Sequence, residues 1–207
     1  MNYGQVRDQV LKLLDQYSVA GQLVSPTYNN QEDYLNRIPA LANDAIMQIA
    51  TTYRKIRAYM RLSDMPSEDL GKEVRYEMPG DFFRFVSGSV VCTTGGYVLH
   101  SNDYMMQGRH YLIVPKDEAD DYSIEYYRYP MLLADRPKDN DVLDNEPETH
   151  RAVPYYVAAF LAERDDPHLG AMLNNKYQEL VQDMGAGLSA EVHTTGEVYS
   201  FYSGGGC

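Results

Sequence analysis

Between Tyr3 and Tyr17, the apolar residues Val6, Val10, Leu13, Leu14 and Tyr17 return at three- and four-residue steps. Arg7, Gln9, Lys12 and Gln16 fill the opposite face, so the spacing predicts a first amphipathic helix. Residues 18–30, rich in Gly, Ser, Pro and Asn, read as a loop. A second helix is predicted from about Glu32 or Asp33, on the stripe Tyr34, Ile38, Leu41, Ala45, Ile46, Ile49, Tyr53 and Ile56. Acidic residues suit its first turn. Pro39 inside the stripe either kinks this helix or marks its true start.

From Val74 to Pro130 the period changes to two. Val74, Tyr76 and Met78 alternate with charged residues, and Phe82, Phe83 and Phe85 follow the turn Pro79-Gly80. Val90-Val91-Cys92 runs into Thr94-Gly95-Gly96-Tyr97, a hairpin signature. Tyr111–Val114 and Ser123–Tyr129 each stop at a proline. The pattern predicts five or six short antiparallel strands. A polar connection covers 135–147. Two helices follow, at about Glu148–Glu163 and His168–Met184, broken at Asp165-Asp166-Pro167. A short break favours antiparallel packing of that pair.

The expected fold class is therefore α+β: a four-helix bundle with a small antiparallel β-domain inserted between helices 2 and 3, plus an extended C-terminal tail. The boundaries read as 1–73 for helical half one, 74–134 for the β-domain, 135–184 for helical half two, and 185–207 for the tail.

Apolar residues are 44% of the 207, ordinary for a globular chain. No run approaches the ~18–20 apolar residues needed to span a bilayer, and no basic segment leads an apolar one at the start. The expectation is a soluble protein made in a cytoplasm. Two cysteines, Cys92 and Cys207, are too few for a disulfide framework or a four-thiolate zinc site. Cys92 reads as a small buried apolar residue. The formal charge is −12, which argues against holding a nucleic-acid backbone by charge neutralisation. Nineteen tyrosines without a tryptophan suit surfaces that are exposed first and buried on assembly, although ordinary strand and core positions account for about half of them.

No constellation points to catalysis. There is no nucleophile elbow and no phosphate-cradling loop. The five histidines show no paired spacing on a helix, and a site drawn from His150, Glu163 and His168 is not required by any motif. The acidic turn 117–121 lacks calcium-loop spacing. The expectation is no enzyme, no cofactor and no metal.

The order of elements, with four stretches of residues, resembles the head-to-tail adaptor (connector, or packaged-DNA stabilisation) proteins of tailed bacteriophages. The stretches are Tyr34–Ala45 (YLNRIPALANDA), Pro79–Phe85 (PGDFFRF), Ile124–Pro130 (IEYYRYP) and Glu148–Ala159 (ETHRAVPYYVAA). The resemblance covers roughly 1–184. It implies a structural subunit of the virion neck, assembled in the host cytoplasm. It also implies a homo-oligomeric ring, usually of twelve, bound to the portal protein and receiving a downstream tail or stopper protein. The ring's channel would pass genomic DNA without sequence-specific binding or any membrane role. An acidic wall fits that passage because it repels phosphate. The alternatives are another neck or tail-completion protein, or a carbohydrate- or host-surface-binding module suggested by the tyrosine-rich strands.

Two groups of contact residues follow. Arg54, Lys55, Arg57 and Arg61 are expected to meet a neighbouring subunit or portal. In the tail, Val198, Tyr199, Phe201 and Tyr202 alternate and cannot bury themselves as a lone strand. Their expected role is inter-chain, by strand addition or by docking in a portal groove.

Overall fold

The computed structural model describes residues 1–15, 28–95, 97–101, 103–116 and 121–191. Two compact units divide it: Met1–Arg54 with the chain from Met131 onward, and Lys55–Pro130 between them.

The first unit is helical. α1 (Tyr3–Asp15) and α2 (Tyr28–Gln48) come before the strand-rich region, and α3 (Val153–Ala162) and α4 (Pro167–Glu191) after it. Pro39 lies buried within α2 and does not start it. α2 ends in a π-helical turn, Ile49–Tyr53, closed by the Arg54 N–H donating to the Ile49 carbonyl at 2.9 Å. A 3₁₀ turn, Pro147–Ala152, leads into α3.

α3 explains the architecture. Its sequence, VPYYVAAFLA, has no polar face apart from two tyrosine hydroxyls, and a helix so apolar must be covered on most sides, Phe160 being its one exposed side chain. α1, α2 and α4 each pack on it, making it the hub of the core, with Val153, Val157, Ala158, Ala159 and Leu161 buried. Small side chains let α4 approach closely: a Cβ on Gly170 would sit 3.0 Å from the Glu163 Cα and 3.2 Å from the Ala159 carbonyl oxygen. Segment 131–146 straps this core. The Tyr3 and Gly4 N–H groups donate to the Asp141 and Asp139 carbonyls at 2.8 and 3.0 Å, and Asn2 bridges Val142.

The second unit holds two four-stranded antiparallel sheets. β1 (Ile56–Arg61), β4 (Phe82–Thr94), β5 (Tyr97–His100) and β8 (Asp121–Arg128) form one, ordered β1-β8-β4-β5. β2 (Ser67–Asp69), β3 (Glu73–Glu77), β6 (Met105–Gln107) and β7 (Tyr111–Pro115) form the other, ordered β2-β3-β7-β6. Both contribute to one core, Val90, Tyr122, Ile124 and Tyr126 from the first and Leu112 and Val114 from the second, with Leu62 from the turn after β1. Gly95, at φ 56°, supplies the left-handed turn of the β4–β5 hairpin. Cys92 is half-buried against this core.

These findings correct the expected fold class. The strand-rich region is a full two-sheet unit occupying 55–130, not a small insert, and the four helices do not form a bundle of equals. Three strands, β1, β2 and β6, lie where none was expected. Ile49, Tyr53, Ile56 and Met60 keep helical spacing, which hid β1, while β2 is Ser-Glu-Asp and carries no apolar signal. The tail is corrected at its start, because α4 continues through residues 185–191.

Candidate interaction surface

Sheet pleating turns alternate residues of β1 in opposite directions. Ala58 and Met60 pack on the sheet–sheet core, so Arg57, Tyr59 and Arg61 share the other face, and all three are exposed. On β8, Tyr122, Ile124 and Tyr126 point inward, leaving Ser123, Glu125 and Tyr127 beside that arginine stripe. Register makes the neighbours explicit: Arg57 opposes Tyr127, Tyr59 opposes Glu125, and Arg61 opposes Ser123. Beyond β8, Arg84 of β4 opposes Tyr127 on its other side.

Tyr127 organises the charges. The Lys55 Nζ lies 5.7 Å and the Arg84 Cζ 5.3 Å from its ring centroid, within cation–π reach. Burial, and after it the neighbouring Arg84, pushes the Lys55 amine below the ordinary lysine value. Arg57 meets the Glu125 Oε1 at 3.4 Å. Among the described residues, no carboxylate pairs with Lys55, Arg61 or Arg84. The face thus gathers four cations, one paired carboxylate and two tyrosines, with Tyr59 65% exposed. Among the described residues β1 is also an edge strand of its sheet, hydrogen-bonded to β8.

Of the residues expected to meet a partner, Lys55, Arg57 and Arg61 share this surface. Arg54 belongs to the helical unit, 3.9 Å from the Glu148 Oε1. The residues sequence reasoning missed are Tyr59, Arg84 and Tyr127. The alternation through β1 and β8 carried a signal for the two tyrosines. Arg84 carried none, since β4 is bulged and its register is irregular between Phe82 and Val90. Val198, Tyr199, Phe201 and Tyr202 lie outside the described residues.

Charge is shared unevenly. The β unit holds nine of the chain's eighteen Lys and Arg but only twelve of its thirty acids, so the helical unit carries most of the −12. Within the helical unit, residues 131–148 bear six carboxylates against Arg136 and Lys138, and they expose Met131, Leu132 and Val142.

His150, Glu163 and His168 make no site. His150 is buried on the 3₁₀ turn with both ring nitrogens engaged, whereas Glu163 and His168 are exposed. No group of three or more His, Cys, Asp or Glu side chains comes together to hold a metal among the described residues. No helix among them is long and apolar enough to cross a membrane. No family model matches the sequence, and no curated protein is similar to it.

Proposed function

We propose that the chain is a structural head-to-tail adaptor of a tailed bacteriophage, a non-enzymatic subunit of a ring of twelve set between portal and tail, with a channel for DNA. The observation that carries this reading is the order of elements: two helices, a strand-rich unit, then two helices that complete the first helical core. Three of the four resembling stretches fall at the joints of that plan, and the fourth lies within α2. Tyr34–Ala45 supplies the α2 face on the core, and Pro79–Phe85 turns the chain into β4. Ile124–Pro130 is the central strand β8 and the exit from the β unit, and Glu148–Ala159 enters the hub helix. A chain so divided presents two chemically different surfaces, one acidic and one with a cationic, tyrosine-bearing face, which suits a subunit that must meet unlike neighbours.

The test is to mix the purified full-length chain with portal rings from the same virus and examine the product by mass measurement and electron microscopy. A stacked second ring of about twelve copies is expected. Failure to bind portal at micromolar concentration, together with retention on immobilised host-surface glycans, replaces this reading with that of a carbohydrate-binding module.

A further inference from the structure

We infer that the cationic face of β1, β8 and β4 docks on the acidic 131–148 segment of a second copy of this chain. The inference rests on the ring reading above and names the contact that would build the ring.

The face has the composition of an interface waiting for an anion. Lys55, Arg61 and Arg84 find no carboxylate among the described residues, and Lys55 and Arg84 share the Tyr127 ring despite their like charge. A partner carboxylate placed there relieves that repulsion. Tyr59, exposed between Arg57 and Arg61, offers an aromatic anchor, the residue type that most often carries binding energy beside arginine.

A second copy has the complement. Segment 131–148 carries six carboxylates, of which Asp139 faces Arg7 and Glu148 faces Arg54, beside the exposed apolar side chains of Met131, Leu132 and Val142, so it offers counterparts to both halves of the face. It is also held in place. Asn43 pairs both ways with Leu133, Asp144 accepts the Met131 N–H, and Asp139 and Asp141 are tied to the start of α1, so little ordering cost falls on association. A contact between unlike patches is heterologous, and repeating it closes a ring when the rotation allows.

Two other occupants fit less well. Edge-to-edge pairing of β1 with its own copy, centred on Tyr59, would set Arg57 against Arg61 twice, and like charges directly opposite destabilise a strand pair. A nucleic acid would meet stacking and charge on the face, but it offers no counterpart to the aliphatic side chains of Met131, Leu132 and Val142 that a second copy presents beside its carboxylates.

The experiment is sedimentation velocity on the full-length chain and on two surface variants, Arg57→Glu/Arg61→Glu and Asp135→Lys/Glu146→Lys. The wild-type chain is expected to self-associate, with an affinity that weakens at least tenfold as salt rises from about 50 mM to about 500 mM. Each variant alone should stay monomeric with an unchanged melting temperature, and the two mixed should form a complex, because each retains the surface that the other has reversed. Unchanged self-association in either variant, or no complex on mixing, overturns the contact. So does a wild-type chain that stays monomeric throughout, whatever the outcome with portal. Binding of a fluorescent single-stranded oligonucleotide that the Arg57→Glu/Arg61→Glu change abolishes, with self-association intact, assigns the face to nucleic acid instead. Portal capture by a chain that fails here leaves the adaptor reading standing and this contact refuted. Salt-sensitive self-association without portal capture does the reverse.

Discussion

The side chain of Asn43 makes to Leu133 both hydrogen bonds that a neighbouring strand would make. Its Nδ2 donates to the Leu133 carbonyl at 2.9 Å, and its Oδ1 accepts the Leu133 N–H at 2.8 Å. One amide on α2 therefore fixes the point where the chain, having left the β unit, returns to the helical core. Asn43→Asp keeps the acceptor and loses the donor, while Asn43→Leu loses both. Each lost bond to this partly buried backbone costs about 1 kcal/mol. Denaturant melts should rank wild type above Asp above Leu. Hydrogen exchange at the Leu133 amide should accelerate in Asn43→Leu but not in Asn43→Asp. Equal exchange in the two variants would show that the pairing does not hold the segment.

Gly170 reverses an ordinary rule. An alanine in a helix interior is normally worth about 1 kcal/mol over glycine. Here the added Cβ meets the Glu163 Cα at 3.0 Å and the Glu163 nitrogen at 3.1 Å, backbone atoms that cannot swing aside. Gly170→Ala should therefore lower stability by about 1–2 kcal/mol, the overpacking cost exceeding the helix gain. An increase in the denaturation midpoint would show that α3 and α4 have more slack than their backbones indicate.

Much of the helical unit was legible in the sequence because its signals are long. Val6, Val10, Ile38, Ile46 and Ile49 were all placed on core stripes, and all are fully buried. Short elements were not. The step from Tyr53 to Ile56 to Met60 satisfies a helix and a strand equally, and the choice is made by the π turn at Ile49–Tyr53, which has no local signature. The candidate surface was half legible for the same reason. Lys55, Arg57 and Arg61 stood out as a basic run, yet their company depends on strand pairing. Tyr127 joins them through the β1–β8 register and Arg84 through a bulged β4–β8 register, and non-local pairing of that kind leaves no mark on either segment alone.

His150 gives the helical unit an acid-sensitive joint. An ammonium can only donate, so the Met1 amine donates to Nδ1 at 2.5 Å, and Nε2–H donates to the Asn145 carbonyl at 3.0 Å. Burial first, and the Met1 amine second, hold the imidazole below its ordinary value of about 6.5. With the folded-state value depressed, protons bind the unfolded chain more readily. Stability is therefore full above about pH 6.5 and falls as pH drops through that value toward the folded-state one. His150→Gln removes this titration. Its melting temperature should be lower than wild type at pH 7, but it should decline less between about pH 7 and pH 5. Parallel declines would assign the acid sensitivity to the carboxylates alone.

At the alkaline end the buried tyrosines set the limit. Tyr34 donates to Asp165 and Tyr126 to Asp81, and burial with these carboxylates pushes both phenols up to about 12. Tyr177, fully buried in the helical core, donates to the Gln48 Oε1 at 2.9 Å and is raised as well, chiefly by burial. A phenol with a raised folded-state value ionises first in the unfolded chain. These groups leave stability intact below about pH 10 and remove it as pH climbs from there toward 12. Phenolate absorbance should accordingly show a late stage, in which the buried phenols of Tyr34, Tyr126 and Tyr177 appear together with the loss of helical circular dichroism. Replacing Tyr177 by Phe tests the helical unit separately. It loses one hydrogen bond to a half-buried acceptor, costing about 1 kcal/mol at neutral pH, and it removes one ionising group, so the gap from wild type should narrow as pH rises above 10. A gap that widens with pH would mean that Tyr177 does not oppose alkaline unfolding through its burial.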